Sequence, residues 1–278
     1  MATRKTFIKP DNIEISYLEW NQDKTPLLLL HGMADHGLVW GKLGDYLQEN
    51  YHIIAPDLRG HGNSSKPEKG YFTEDIVKDL EALVNHLGWT KFHILAHSWS
   101  AKFVPIWATK KPDIFQSMIL VDPFYINKLP NWIQITFPLL YQVLPFLKMT
   151  GDFPSYEFAE NLAKTLKQYQ GWSDFQQEVF KYSIQQNDND IWSSKFAIQA
   201  RDEIFTDVML KAGLTEKLTI PTLFIQPEKG LNRSNFQIQP FKDYLPNLTI
   251  KKVPSNHWAF LVEPQPFNKV IKEFLQQH

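Results

Sequence analysis

The sequence predicts an α/β protein with a largely parallel sheet, and three observations carry that expectation. Short apolar runs, each closed by turn-forming residues, alternate with segments of helical spacing, which is the pattern of βαβ units. One stretch, Phe92 to Ala101, passes from a buried strand straight into a helix at a serine. After Pro123 the alternation stops, and it resumes only at Thr222.

Taken in order, Lys5 to Ile8 and Ile13 to Trp20 alternate as a hairpin does, with Pro10-Asp-Asn12 as its turn. Pro26 to Leu30 is an apolar run closed by His31-Gly32, as expected of a strand covered on both faces. His52 to Ala55 repeats the pattern before Pro56-Asp57, and Leu38 to Glu49 between them has helical spacing. Asp57 to Ser64 has the residues of a loop, in which Asp57 and Arg59 are expected to pair locally. Thr73 is expected to cap a helix with Glu74 and Asp75 in its first turn and an apolar face of Ile76, Leu80, Leu83, Val84 and Leu87. Ser117 to Val121 is a further strand, closed by Asp122-Pro123. From Phe124 to Leu218 no buried-strand run occurs and the residues suit helices. Thr222 to Gln226 and Thr249 to Val253 read as strands, and Phe236 to Tyr244 and Gln265 to Leu275 as helices, with Pro266 tolerated in a first turn.

The turn at His97-Ser98 has a chemical consequence. A serine at so sharp a turn adopts strained backbone angles and presents its hydroxyl at the carboxyl end of the strand. The residues two before and two after it come close together, and here both are small, Ala96 and Ser100. The amide of Trp99 lies at a helix amino end, where unpaired N–H groups and the helix dipole stabilise negative charge.

Composition removes several classes of function. The 278 residues, 43% hydrophobic, can bury a substantial core. A net charge of −1 with no long basic run gives no footprint for nucleic acid. The absence of cysteine excludes disulfides, thiolate metal sites and a cysteine nucleophile. No His/Asp/Glu cluster has metal-ligand spacing and no Gly-rich phosphate loop occurs, so neither metal nor cofactor is expected. The amino terminus lacks an apolar run of signal-peptide length, and the expected location is cytoplasmic. The apolar run Trp132 to Leu147 falls short of about 20 residues and contains Pro138 and Pro145, so it reads as helices packed over the core rather than an integral membrane segment. Oligomeric state leaves no trace in the sequence.

The order of His31-Gly32, Asp57-Leu-Arg-Gly-His-Gly62, the Ser98 turn and Asn256-His257 resembles the α/β-hydrolase superfamily over nearly the whole chain. That resemblance implies a mostly parallel eight-stranded sheet flanked by helices, with residues 1–123 and 219–278 as the core and 124–218 as an inserted helical cap. It also implies a Ser–His–acid triad with Ser98 as nucleophile and His257 as base, and the amides of Met33 and Trp99 as the oxyanion hole. Members of the superfamily usually carry the acid just after the seventh strand. The matching stretch here is Pro227-Glu-Lys-Gly230, with glycine in the expected place. Asp122, after the sixth strand, is where pancreatic-type lipases and some haloalkane dehalogenases place theirs, and it is favoured; Glu228 is the alternative.

Epoxide hydrolases and haloalkane dehalogenases of the superfamily use an aspartate nucleophile, against which Ser98 argues. The expectation is therefore a serine esterase or lipase-like hydrolase acting on a small apolar ester or acyl compound, with Trp40, Phe124 and Trp132 lining its pocket and Trp99 and Trp258 as weaker candidates. Carbon–carbon bond hydrolases and cofactor-free haloperoxidases also keep the serine. A different class, a small-ligand receptor, is suggested by the absent usual acid and by the likeness of His97-Ser-Trp-Ser-Ala101 to the H-S-x-S-A of plant karrikin and strigolactone receptors, which do keep an acid after the seventh strand. The other histidines have structural readings: His97 as a hydrogen-bonding residue, His31 and His61 as loop anchors, His36 and His86 as surface or satisfied residues.

Overall fold

The computed structural model describes residues 2–144, 147 and 149–278; Pro145, one of the two prolines of the apolar run Trp132 to Leu147, lies outside them. Eight strands form one sheet: β1 (Thr3–Ile8), β2 (Glu14–Trp20), β3 (Thr25–Leu30), β4 (Tyr51–Pro56), β5 (Phe92–His97), β6 (Phe115–Val121), then, past an insertion containing β7 to β9, β10 (Thr222–Lys229) and β11 (Leu248–Asn256). Their spatial order is β1-β2-β4-β3-β5-β6-β10-β11. β2 pairs antiparallel with β1 and β4, and every other pairing is parallel. The central strands are fully buried, as their unbroken apolar runs require: β4 and β5 have no exposed residue. β5 lies mid-sheet between β3 and β6, so its carboxyl end opens into the crevice where parallel sheets carry their chemistry.

Helices cover both faces: α1 (Gly41–Leu47), α2 (Thr73–His86), α3 (Trp99–Lys110), and later α8 (Asn235–Tyr244), α9 (Ala259–Val262) and α10 (Pro264–Leu275). Thr73 is not the cap of α2, as its residue type suggested, but its first residue. The helix end is satisfied from outside: Asp207 accepts the Thr73 amide at 3.0 Å and also the Thr73 hydroxyl. A carboxylate from another element here replaces the local cap and suits the positive end of the helix dipole.

The insertion contains α4 (Phe137–Val143), α5 (Tyr156–Lys164), α6 (Asp174–Ser183) and α7 (Ile198–Leu210). It is not purely helical, which corrects the sequence expectation. β7 (Asp152–Phe153), β8 (Ile184–Gln186) and β9 (Trp192–Ser194) form a small antiparallel sheet in the order β7-β9-β8. Strands of two and three residues are too short to show a period of two. Among the described residues no helix is long and apolar enough to cross a membrane.

The Asp57-to-Ser64 loop is built differently from the local pairing its sequence suggested. Asp57, fully buried, accepts Arg4 Nη1 at 3.1 Å, the Gly37 and Asn63 amides at 2.8 and 2.9 Å, and the Tyr182 hydroxyl of α6 at 2.5 Å. Arg59 turns instead to Asp79 on α2, donating through Nε and Nη2 at 2.5 Å each, and Lys9 Nζ reaches the same carboxylate at 2.6 Å. Asp79 thus neutralises two buried cations. Asp79→Ala is expected to destabilise the protein by about 3–5 kcal/mol, because it strands buried charge. Thermal unfolding should show the midpoint falling by roughly 10 °C.

Candidate active site

Ser98 occupies the joint between β5 and α3 with φ 55° and ψ −111°. A non-glycine residue at positive φ is strained, and the neighbouring ladder holds it there. Its amide donates to Val121 O at 3.0 Å, and its carbonyl accepts the Phe124 amide at 3.0 Å. Ser100, expected only to be small, also works as a polar brace: its hydroxyl lies 2.9 Å from the His97 amide and 3.0 Å from Leu30 O. Gly32 permits the close approach of β3, since a Cβ there would meet His97 Nδ1 at 2.7 Å and Ser98 Cβ at 3.3 Å.

Asp122 follows β6 directly, is fully buried and has φ 41°. Its Oδ2 lies 2.5 Å from His257 Nδ1. Oδ2 also accepts the Leu231 amide at 2.8 Å, while Oδ1 accepts the Asn232 amide at 3.1 Å and Asn232 Nδ2 at 3.0 Å. Burial drives this carboxyl's pKa up. The hydrogen bond and charge of His257, with the Leu231 and Asn232 donors, outweigh that and hold it below the usual carboxylate value. An anionic Asp122 can only accept here, so His257 Nδ1 carries a proton directed at it. Gly230 leaves room for this side chain: a Cβ on Gly230 would overlap the Asp122 carboxylate. The space that a side chain at position 230 would need is thus taken by Asp122. Glu228, the alternative, is exposed and makes no hydrogen bond to His257.

His257 comes just after β11. Its carbonyl accepts His97 Nε2–H at 3.0 Å, and the two rings lie 4.4 Å apart. Asn256 fixes the approach, accepting the Trp258 amide at 2.9 Å and donating to Lys167 O of the insertion at 2.9 Å. Among the described residues the Ser98 hydroxyl and the Met33 amide form no hydrogen bond, and the Trp99 amide, first in α3, has no intrahelical partner. Hydrogen bonds of catalytic groups commonly close only around a substrate.

The remaining candidates divide. Phe124 is half-buried and tied to the Ser98 carbonyl. Trp40 is fully buried against Phe260 at 4.4 Å and Phe267 at 6.4 Å, in the core under α10 rather than at the site. Trp132 is 64% exposed on the insertion. In both cases aromatic character alone gave no direction in space. The Trp99 side chain is buried against Phe103 and His61. His31 Nε2 accepts the Leu58 amide at 3.0 Å, a loop-anchoring part. His36 is not a surface residue: it is buried, with Nε2 3.1 Å from Val179 O of α6. Residues that sequence reasoning passed over include Asn232, Tyr182 and Asp35. A recess of 350 Å³ lined by Thr25, Tyr51, His93 and Gln116 opens at the amino ends of the strands, opposite Ser98.

The comparisons with known proteins agree with this architecture. Epoxide hydrolase 1 of Caenorhabditis elegans is 25% identical over 98% of this chain and 70% of its own length. Fluoroacetate dehalogenase of a Burkholderia species is 24% identical over 90% of this chain and 86% of its own. The crystal structure of E-2-(acetamidomethylene)succinate hydrolase superposes with a TM-score of 0.80 at 20% identity, covering 99% of this chain and 100% of that one. The family model described as alpha/beta hydrolase fold matches residues 25–264, and the chain belongs to that family.

Proposed function

We propose that the protein is a serine hydrolase that cleaves a carboxylic ester or related acyl compound through an acyl-enzyme, with residues 124–218 as a cap over the site. The observation that carries this reading is the hydrogen-bonded His257–Asp122 pair at the same end of the sheet as the strained Ser98. In the first step Ser98 Oγ adds to the substrate carbonyl carbon as His257 Nε2 takes its proton. Asp122 holds the Nδ1–H and stabilises the imidazolium. The Met33 and Trp99 amides receive the oxyanion. Collapse of the intermediate expels the alcohol with the proton from His257. Water then repeats the addition at the acyl carbon, giving the acid and free Ser98.

The relatives named for epoxide and carbon–halogen substrates do not carry those reactions to this chain, for a reason of chemistry. A serine oxygen that opened an epoxide or displaced a halide would become an ether, which water does not cleave at a carbonyl. An acylated serine is an ester and turns over. The receptor alternative drew on the missing usual acid, and Asp122 beside His257 weakens that motive. Incubation of the protein with a fluorophosphonate probe should attach it to the peptide containing Ser98, and short p-nitrophenyl esters should be hydrolysed. A protein that neither labels nor turns over would defeat the reading.

A further inference from the structure

Beside the His257 loop lies a buried pair that the reaction above does not use. His97 Nε2 sits 3.0 Å from the His257 carbonyl, so Nε2 must carry the ring proton. Nδ1 is then a bare acceptor; it is buried and hydrogen-bonded to nothing among the described residues. Opposite it stands a carboxylate oxygen, Oδ2 of Asp35, at 3.7 Å. Asp35 is itself buried and accepts Trp258 Nε1–H at 3.3 Å through the same oxygen. Two lone pairs facing each other in a dry site repel, and one proton between them removes the conflict. His97 cannot readily supply it, because burial and the nearby His257 hold its pKa well below that of a free histidine.

We propose that Asp35 is a positioning residue that holds a proton and shares it with His97 Nδ1, so that the neutral, oriented His97 fixes the loop carrying His257. In that arrangement the Asp35 carboxyl turns toward His97 to close the gap, which is 3.7 Å in the structure. No proton leaves the pair during turnover. The assignment rests on the reading of His257 as the general base, but the state of Asp35 can be measured without it. Burial pushes the Asp35 carboxyl up to about 7, opposed by the Trp258 donor. The titratable groups facing the pair are His31 at the end of β3, His257 beyond β11 and Tyr169 from the insertion. Burial pushes the Tyr169 phenol up to about 12, so it stays neutral through the range of interest.

The sign of the linkage is set by a folded-state pKa above the unfolded one. The protonated form is favoured by folding, so the stability of the parent falls relative to a neutral variant as pH rises from about 4 to about 7. Thermal unfolding of the full chain and of Asp35→Asn between pH 5 and pH 8 should therefore show the variant gaining on the parent, with the difference widening by roughly 5 °C. A difference that stays constant with pH overturns the proposal, whether or not any ester is hydrolysed. On the kinetic side, ester turnover by the parent should fall at least threefold from pH 6.5 to pH 8.5, while Asp35→Asn stays flat because its amide donates at every pH. Identical alkaline limbs overturn the link to His257 and leave the esterase reading intact. Trp258→Phe removes the donor to Asp35 and should move the parent's alkaline decline to higher pH; it carries the test if Asp35→Asn does not fold.

Discussion

Ser98→Ala is expected to reduce ester turnover by about 10⁶-fold and to abolish fluorophosphonate labelling, while the unfolding midpoint stays within a few degrees of the parent's or rises. The first part follows from the loss of the only atom that becomes covalently bonded to the acyl group. The second follows from the backbone: Ser98 is held at φ 55° by its amide bond to Val121 O and its carbonyl bond from Phe124, and neither involves the side chain. Among the described residues the hydroxyl makes no hydrogen bond whose removal would cost stability. Steady-state kinetics together with calorimetry read the two outcomes separately. A variant that kept more than about one-thousandth of parental turnover would place the nucleophile elsewhere.

Asp122→Asn is the second large effect, about 10⁴-fold in kcat, or roughly 5.5 kcal/mol of barrier. An amide keeps the shape of the carboxylate but can offer Nδ2–H to His257 Nδ1, which stabilises the tautomer with its proton on Nε2, pointed at the serine oxygen. It also removes the negative charge that stabilises the imidazolium. The three donors at Leu231 and Asn232 are arranged for an anion, so an NH₂ group among them clashes with at least one. Glu228→Gln, by contrast, changes an exposed side chain with no bond to His257 and should leave kcat within about twofold. Burst kinetics with a p-nitrophenyl ester would place the Asp122→Asn loss in acylation. If Glu228→Gln were the damaging change, the assignment of the acid would be overturned.

Much of the fold was legible because its strands are buried on both faces and so appear as uninterrupted apolar runs, as at Leu27 to Leu30 and Ile94 to Leu95. The sharp turn at Ser98 could be read because it imposes small residues at fixed offsets. The partner of His257 was harder, since which carboxylate meets a histidine 135 residues away is decided by sheet order, and sequence offers only candidates. Gly230 carried a usable signal: a glycine where an acid is expected means that something else occupies the space. The partners of Asp57, Arg59 and His36 were not legible, because each bonds to an element distant in the chain and local spacing says nothing about it. The small sheet of the insertion was missed for want of length, and the exposure of Trp132 was not legible because apolar character does not tell an inner face from an outer one.

The ladder that joins Ser98 to β6 has a consequence for how the protein responds to heat. Ser98 N bonds to Val121 O, and Asp122 is the next residue, so the hydroxyl and the carboxylate ride on the ends of two neighbouring, hydrogen-bonded strands in the middle of the sheet. The imidazole arrives instead from the strand at the sheet's outer edge, and the turn beyond that strand is tethered to the rest by the hydrogen bonds of Asn256 and His97. Warming should therefore uncouple the imidazole from a still rigid hydroxyl–carboxylate unit, so that catalysis fades reversibly several degrees before the sheet itself melts.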